Sequence, residues 1–118
     1  MNIEWIRDYC LSKRAVTESF PFDDKTLVFK VMNKMFALTN IEGELRINLK
    51  CNPEIALQLR EEFDFVLPGY HMNKQHWNTI VVTSPLKEKQ LKEWIDESYN
   101  LIIRSFTKKQ KQELAIIK

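Results

Sequence analysis

The sequence predicts an α+β fold, a single domain in which helices cover mainly one face of an antiparallel sheet, in the order α-β-β-β-α-β-β-α. The first observation behind this prediction is a run of short segments rich in β-branched and aromatic residues between two helical patterns. The second is the alternation of residues 44–50, which is typical of a strand buried on one face. The third is the length, since 118 residues are enough for one core.

The first half of the chain is expected to form one helix and three strands. Residues 2–13 predict an amphipathic helix that Asn2 caps. The proline in segment 17–24 predicts a turn there. Strands are predicted at 26–31 and 35–39, joined as a hairpin, and the alternating segment that follows supplies the third.

The second half is expected to form two helices and two short strands. Asn52-Pro53 predicts a helix that runs to about Glu62, because asparagine caps helices well and proline fits the first helical position. Short strands are predicted at 65–68 and 78–83, the longest helix from Ser84-Pro85 to Ser105, and a basic tail or helix extension at 107–118. The domain is therefore expected to span residues 1–106.

The small net charge is unevenly distributed along the chain. Eighteen Lys and Arg residues against 16 Asp and Glu residues give a formal net charge of +2. Residues 104–118 contain five cations and one acid, so this segment carries +4 and the rest of the chain −2. Most dedicated DNA-binding domains have a clear basic footprint. Any nucleic-acid contact here therefore has to come from a local patch or from the tail.

Several classes of protein are excluded by the sequence. No apolar run approaches the roughly 18–20 residues of a membrane span, and the N-terminus lacks a signal-peptide pattern, so we expect a cytoplasmic protein without membrane contact. The chain has only two glycines, Gly43 and Gly69, and neither GxGxxG nor a P-loop is present. Nucleotide binding through those loops is excluded, and we expect no cofactor.

The two cysteines, Cys10 and Cys51, are expected to be reduced, buried packing residues. His71 and His76 are spaced like half of a zinc site, but Cys51 is the only thiol in plausible reach, so we expect no metal. A nucleophilic pair of Cys51 with one of these histidines stays open as an alternative, because Cys51 precedes a helix start.

Adjacent acidic residues offer a further catalytic alternative. Asp23 and Asp24 are adjacent carboxylates, and a general acid–base pair is the remote catalytic alternative that they offer. Acids just before a strand more often cap a turn, and adjacent side chains need not converge. We therefore expect no catalytic residues in this protein.

The segment PGYHMNKQHWNT (68–79) is the most unusual part of the sequence. As a binding surface it offers Tyr70 and Trp77 for stacking and several cationic or amide groups for hydrogen bonds, a combination that suits nucleic acids. As a structured turn it would instead cover the edge of the core with its aromatic side chains. A third interpretation is a small-ligand or enzymatic site built on His71, Lys74 and His76.

A second candidate surface lies on the predicted sheet. If strands 26–31 and 44–50 belong to one sheet, Lys30, Arg46 and Lys50 share its solvent face with Asn48, where cations can contact phosphates. The alternative is that these side chains only solvate the exposed face. The candidate nucleic-acid-binding residues are Lys30, Arg46, Asn48, Lys50, Tyr70, His71, Asn73, Lys74, His76 and Trp77.

Four stretches together resemble the MmcQ/YjbR family over residues 2–106. They are FPFDDKTLVFKVMNKMFAL (20–38), INLKCNPEIALQLRE (47–61), PGYHMNKQHWNTI (68–80) and LKEWIDESYNLI (91–102). One departure is Asp23, which stands where the family pattern has glycine in a turn.

The resemblance implies a bacterial, cytosolic α+β protein similar to secretion-chaperone folds, with DNA binding through a "double wing" motif and no catalytic role. A protein-interaction module is the alternative that the chaperone-like fold implies. The family's most recognisable positions fall on Lys50, Pro68, Gly69, Tyr70, His71, Met72, Asn73, Lys74, His76, Trp77 and Asn78.

Overall fold

The predicted α+β fold with an antiparallel sheet is confirmed. The computed structural model describes residues 1–69, 72–83 and 85–117. Within these ranges the helices are α1 (Ile3–Leu11), α2 (Pro53–Glu62), α3 (Glu88–Arg104) and α4 (Lys108–Ile116). The strands are β1 (Val16–Ser19), β2 (Thr26–Val31), β3 (Lys34–Asn40), β4 (Arg46–Lys50), β5 (Val66–Pro68) and β6 (Trp77–Val81). They form one antiparallel sheet in the order β1-β2-β3-β4-β6-β5.

Strand β1 corrects the prediction of a turn at 17–24, since its residues pair with β2 from Val16 opposite Val31 to Ser19 opposite Val28. The strand is short, polar and at the sheet edge, so it lacks the apolar alternation that reveals a strand in sequence. Its register depends on backbone pairing with β2 and on Glu18, which accepts hydrogen bonds from the Arg7 guanidinium.

The predicted hairpin between β2 and β3 is confirmed as a two-residue turn. Met32 and Asn33 have φ of 45° and 70°, and Val31 pairs with Lys34 on either side of them. Two consecutive positive φ angles are the geometry of a type I′ turn, whose twist matches that of antiparallel strands.

The starts of the first two helices follow the predicted capping chemistry. The Asn2 side chain accepts a hydrogen bond from Trp5 N at 2.8 Å, and the Asn52 side chain accepts one from Glu54 N at 3.0 Å. The third helix begins later than Ser84-Pro85, at Glu88. Its first turn is closed by Gln90, whose side chain accepts from Lys87 N at 3.0 Å, and Ser84 lies outside the described residues.

The C-terminal segment forms the separate helix α4. Helix α3 ends at Arg104, and Thr107 then caps α4 through hydrogen bonds with Gln110. Leu114 is 8% exposed and joins Phe106 in the main hydrophobic core. Among the described residues, no helix is long and apolar enough to cross a membrane.

The sheet has two different faces. The face that we call the helix face packs against the helices, and its core includes Phe29 from β2, Leu49 from β4, Ile6 from α1 and Ile95 from α3. The opposite face, which we call the open face, carries a smaller apolar cluster of Val28, Leu38, Trp77, Met35 and Met72. Side chains that alternate along β4 therefore reach the core or the open face in turn.

Candidate functional site

The loop between β5 and β6 is closed by local hydrogen bonds around Asn73. The Asn73 side chain accepts from Gln75 N at 2.9 Å, and its carbonyl accepts from His76 N at 3.1 Å and Trp77 N at 2.9 Å. The His76 carbonyl in turn accepts from Cys51 N at 2.7 Å, which ties the loop to the end of β4. The predicted binding residues Tyr70 and His71 lie outside the described residues.

Trp77 occupies the core edge rather than an open stacking surface. Its side chain is 8% exposed and packs with Val28 and Leu38 on the open face of the sheet. The ring therefore has the packing role that the structured-turn interpretation assigned to it.

Asn78 is likewise held in the interior, by a residue that the sequence did not single out. Its Oδ1 accepts from Arg60 Nε at 2.6 Å, and its Nδ2 donates to the Ala56 carbonyl at 3.3 Å. Arg60 also donates from Nη2 to the carbonyls of Lys74 and Trp77. The guanidinium thus links α2 to the β5–β6 loop. A hint in the sequence was the position of Arg60 in the last turn of α2, where a cation faces free carbonyls.

The predicted basic set lies on one face of the sheet but at two different ends. Lys30, Arg46, Asn48 and Lys50 occupy alternate positions on β2 and β4 that face away from the helix side. Arg46 starts β4 and Lys50 ends it, and Lys30 lies at the same end as Lys50 because β2 and β4 run in the same direction. We call the end with Lys30 and Lys50 the lysine end, and the other the paired end.

At the paired end the cations are neutralised by neighbouring acids. Arg46 Nη2 lies 2.7 Å from Glu44 Oε1, and Lys25 Nζ lies 3.6 Å from Glu42 Oε2. Both pairs are exposed, so they add little to stability, but they cancel the local positive charge. This end therefore offers little attraction to a phosphate.

At the lysine end the cations have no such compensation. In the part of the chain that the structure describes, Lys30, Lys34 and Lys50 form no ion pair with a carboxylate. Lys34 Nζ lies 3.5 Å from Ser105 Oγ and 5.1 Å from the centre of the Phe106 ring.

The basic C-terminal segment begins at this same end. Helix α4 starts two residues after Phe106, with Lys108 and Lys109 in its first turn and Lys111 in its second. The basic tail therefore begins beside Lys34 on the helix side of this end, whereas Lys30 and Lys50 face the open side.

A cavity of about 980 Å³ lies along the open face, from the turn before β2 at the paired end to Met35, the partner of Lys30. Its lining includes three predicted binding residues, Arg46, Asn48 and Asn73, together with Met72 from the β5–β6 loop and Phe22 from the segment before β2. The loop thus contributes a thioether and an amide to this cavity.

Asp23, where the resemblance implied a glycine, occupies its turn without backbone strain. Its carboxylate accepts from Lys25 N at 2.9 Å and from Thr26 N at 2.7 Å, and these hydrogen bonds lower its pKa. Asp23 is not among the described residues with positive φ, so a residue with a side chain fits this turn. The carboxylate caps the entry to β2, as expected of an acid before a strand.

Both cysteines are free and buried, as predicted. Burial raises the pKa of the Cys10 thiol to about 12, and burial followed by the negative charge of Glu97 raises that of Cys51. A raised pKa keeps a thiol protonated and makes it a poor nucleophile. No group of three or more metal-ligating side chains occurs among the residues that the structure describes.

Solved structures share this architecture. A crystal structure of the Deinococcus radiodurans protein DR2400, with domain DUF419, matches with a TM-score of 0.90 and 39% identity, covering 97% of this chain and 88% of that one. A crystal structure of a protein from Pseudomonas syringae matches with a TM-score of 0.75 and 30% identity, covering 86% of this chain and 98% of that one. The fold thus defines a class of small bacterial α+β proteins.

Within this class, the chain belongs to the YjbR family, whose model matches residues 11–101. The uncharacterized protein YjbR of Escherichia coli K12 is 30% identical over 115 residues, which cover 97% of this chain and 98% of that protein. The uncharacterized protein YyaQ of Bacillus subtilis is 40% identical over 76 residues, 64% of this chain and 63% of that one. The family resemblance expected from the sequence is therefore confirmed.

Proposed function

We propose that this protein binds duplex DNA in the bacterial cytoplasm, without catalysis, through the lysine end of its sheet. The observation that carries the proposal is the contrast between the two ends of β4. Arg46 is neutralised by Glu44, whereas Lys50, Lys30 and Lys34 have no carboxylate partner among the described residues. A cation that no carboxylate neutralises can replace the counterions of a phosphate backbone.

The arrangement at the lysine end supports contact with a backbone rather than with one isolated anion. Lys30 and Lys50 lie on different strands with β3 between them, so they are two strand spacings, or about 10 Å, apart. One DNA strand carries a phosphate about every 3.4 Å along the helix axis, so two cations about 10 Å apart can contact different phosphates of one strand. The tight turn at Met32-Asn33 brings Lys34 to the same end, next to the start of the basic helix α4.

The non-catalytic part of the proposal is supported by the state of the candidate nucleophiles and acids. The pKa of both thiols is raised by burial. The carboxylate of Asp23 is occupied by two backbone N–H groups. Neither group has the environment that activates a nucleophile or a general acid.

Fluorescence anisotropy with a labelled duplex at several salt concentrations tests the proposal. Each phosphate contact contributes about 0.9 to the slope of log affinity against log salt. The double variant Lys30→Gln/Lys50→Gln should lower that slope by about 1.8. The matched control is Lys25→Gln/Arg46→Gln, which removes the same charge from the paired end and should change the slope much less.

Two results contradict the proposal. One is an equal loss of DNA affinity in both double variants, because the affinity would then depend on the net charge of the protein and not on the lysine end. The other is the absence of duplex binding by the wild-type protein at about 50 mM salt. That second result favours the alternative of a protein-interaction module.

A further inference from the structure

The cavity over the open face is chemically different from the lysine end and points to a second ligand. It extends along the open face from the turn before β2 to Met35 and the β5–β6 loop, and its lining includes neither Lys30 nor Lys50. Its volume of about 980 Å³ is at the upper end of the range of sites that hold small organic molecules. We propose that this cavity binds an uncharged, largely apolar small molecule that carries a carbonyl-type acceptor.

The walls of the cavity are apolar and adaptable. Met35 and Leu38 from β3 form part of the base, Met72 closes one side and Phe22 the other. Phe22 is 65% exposed, an unusually open position for an aromatic side chain, and a bound ligand would cover it. Methionine side chains fit their shape to flat or irregular apolar partners.

The polar group that would orient the ligand is Asn48. Its Oδ1 accepts the hydroxyl hydrogen bond of Thr79 at 2.5 Å across β4 and β6, which fixes the orientation of the amide. Its Nδ2 has no partner among the residues that the structure describes. An amide N–H that lines an apolar cavity is satisfied best by a carbonyl oxygen.

The charges that line the cavity disfavour an anion. The lining contains the carboxylates of Asp23 and Glu44 but only one guanidinium, that of Arg46. The guanidinium is already held by Glu44, with Nε at 3.0 Å and Nη2 at 2.7 Å from Oε1. The excess negative charge therefore separates this site from phosphate binding at the lysine end.

The neighbouring amide of Asn40 is not available to a ligand. Its Nδ2 donates to the carbonyls of Glu42 and Glu44, each at 2.6 Å, and its Oδ1 accepts from Arg46 N at 2.8 Å. Asn40 thus holds the turn between β3 and β4, and Asn48 is the amide of β4 that can donate to a ligand.

The experiment uses the fluorescent ketone prodan and two competitors that share a naphthalene ring. Prodan is uncharged, and its emission shifts to the blue in an apolar site. The competitors are 2-acetylnaphthalene, a neutral ketone, and 2-naphthoate, an anion at pH 7. We expect a blue shift of prodan with the full-length protein, displacement by the ketone, and at least about tenfold weaker displacement by the anion.

Three variants locate the site. Asn48→Asp keeps the acceptor for Thr79 but removes the donor, and should weaken prodan binding roughly three- to tenfold. Met35→Glu places a charge in the base and should abolish binding. Phe22→Ala removes a ring that lines the cavity and should weaken prodan binding. Because this ring is largely exposed, the melting temperature should match that of the wild type. The control Leu57→Gln changes an exposed apolar side chain on α2 and should have no effect.

The proposal is overturned if prodan does not bind, if Leu57→Gln weakens binding as much as Phe22→Ala does, or if 2-naphthoate competes as well as the ketone. The Lys30→Gln/Lys50→Gln variant should bind prodan like the wild type. Loss of DNA binding and loss of prodan binding are therefore separable results, and either proposal can fail alone.

Discussion

Arg46 and Lys50 stand at opposite ends of the same strand and have opposite electrostatic surroundings. Arg46 Nη2 lies 2.7 Å from Glu44 Oε1, whereas Lys50 forms no ion pair within the described part of the chain. The two residues face the same side of the sheet, as the alternation along β4 predicts. This charge asymmetry along β4 distinguishes the proposed DNA-binding end from the paired end.

Ser98 should contribute to stability by bridging β3 and β4 beneath the lysine end. It is fully buried, and its hydroxyl accepts from Lys50 N at 2.8 Å and donates to the Phe36 carbonyl at 2.6 Å. These bonds link β3 and β4 beyond the last strand pairing of Ala37 with Leu49. Ser98→Ala leaves two backbone groups unpaired and should lower the free energy of unfolding by about 1–3 kcal/mol.

Urea denaturation measures this loss, and Ser19→Ala is its control. Ser19 is exposed on the edge strand β1. Surface substitutions of this kind usually change stability by less than about 0.5 kcal/mol. A Ser98→Ala protein as stable as Ser19→Ala would show that the interstrand bridge contributes nothing.

Arg60 should determine how firmly the β5–β6 loop is held. Arg60→Gln breaks the 2.6 Å hydrogen bond to Asn78 and the hydrogen bond to the Trp77 carbonyl, which keeps only the one from Gly69 N at 2.9 Å. Hydrogen bonds to charged groups are worth about 1.5–3 kcal/mol each in stability. We expect the variant to show faster amide hydrogen exchange at residues 75–77. Exchange in the β2–β3 hairpin should stay unchanged and serves as the internal control. Exchange at residues 75–77 that matches the wild type would contradict the role of Arg60.

Gly69 should tolerate no side chain because of Trp77. A Cβ at position 69 would lie 2.9 Å from both the Cβ and the carbonyl oxygen of Trp77. Gly69→Ala should therefore cost about 1–3 kcal/mol of stability, measured by thermal or urea unfolding. Gly43→Asn is the comparison, since the backbone there has φ of +77° with open space around it, and asparagine tolerates that conformation. Equal losses in the two variants would refute the steric explanation.

Stability should fall in alkaline solution because of Cys10. Burial raises the pKa of its thiol to about 12, whereas an unfolded cysteine titrates near 8.5. Above about pH 8.5 the folded state therefore binds more protons than the unfolded state, so stability decreases as the pH rises, by at most about 1.4 kcal/mol per pH unit for this group.

Urea unfolding of the wild type and Cys10→Ala at pH 7.5, 8.5 and 9.5 checks this linkage. The variant is expected to be less stable at every pH, because a buried side chain is shortened. Its stability should nevertheless fall less steeply with pH than that of the wild type. Parallel pH profiles would contradict the assigned cause.

The parts of the fold that depend on local chemistry were predictable from the sequence. The caps at Asn2 and Asn52 and the Met32-Asn33 turn each depend on residues a few positions apart. Strand β1 was not predictable in this way, because its polar residues lack apolar alternation and the strand is defined by its backbone pairing with β2.

The candidate site was predictable in composition but not in arrangement. The shared face of Lys30, Arg46 and Lys50 follows from strand alternation. Strand direction decides which end of the sheet each cation occupies. The ion pair with Glu44 decides that Arg46 is neutralised, and the alternation of side chains does not predict this pair. The burial of Trp77 depends on Val28 and Leu38, which come from distant strands.

Backbone amide chemical-shift mapping with a short duplex tests the central proposal most directly. The largest shifts on adding DNA should occur at Lys30, Met32–Lys34 and Lys50, and at the first turn of α4. The paired end, at 40–46, should remain unchanged. Shifts concentrated at Glu44 and Arg46, or no shifts at all at low salt, would contradict DNA binding through the lysine end.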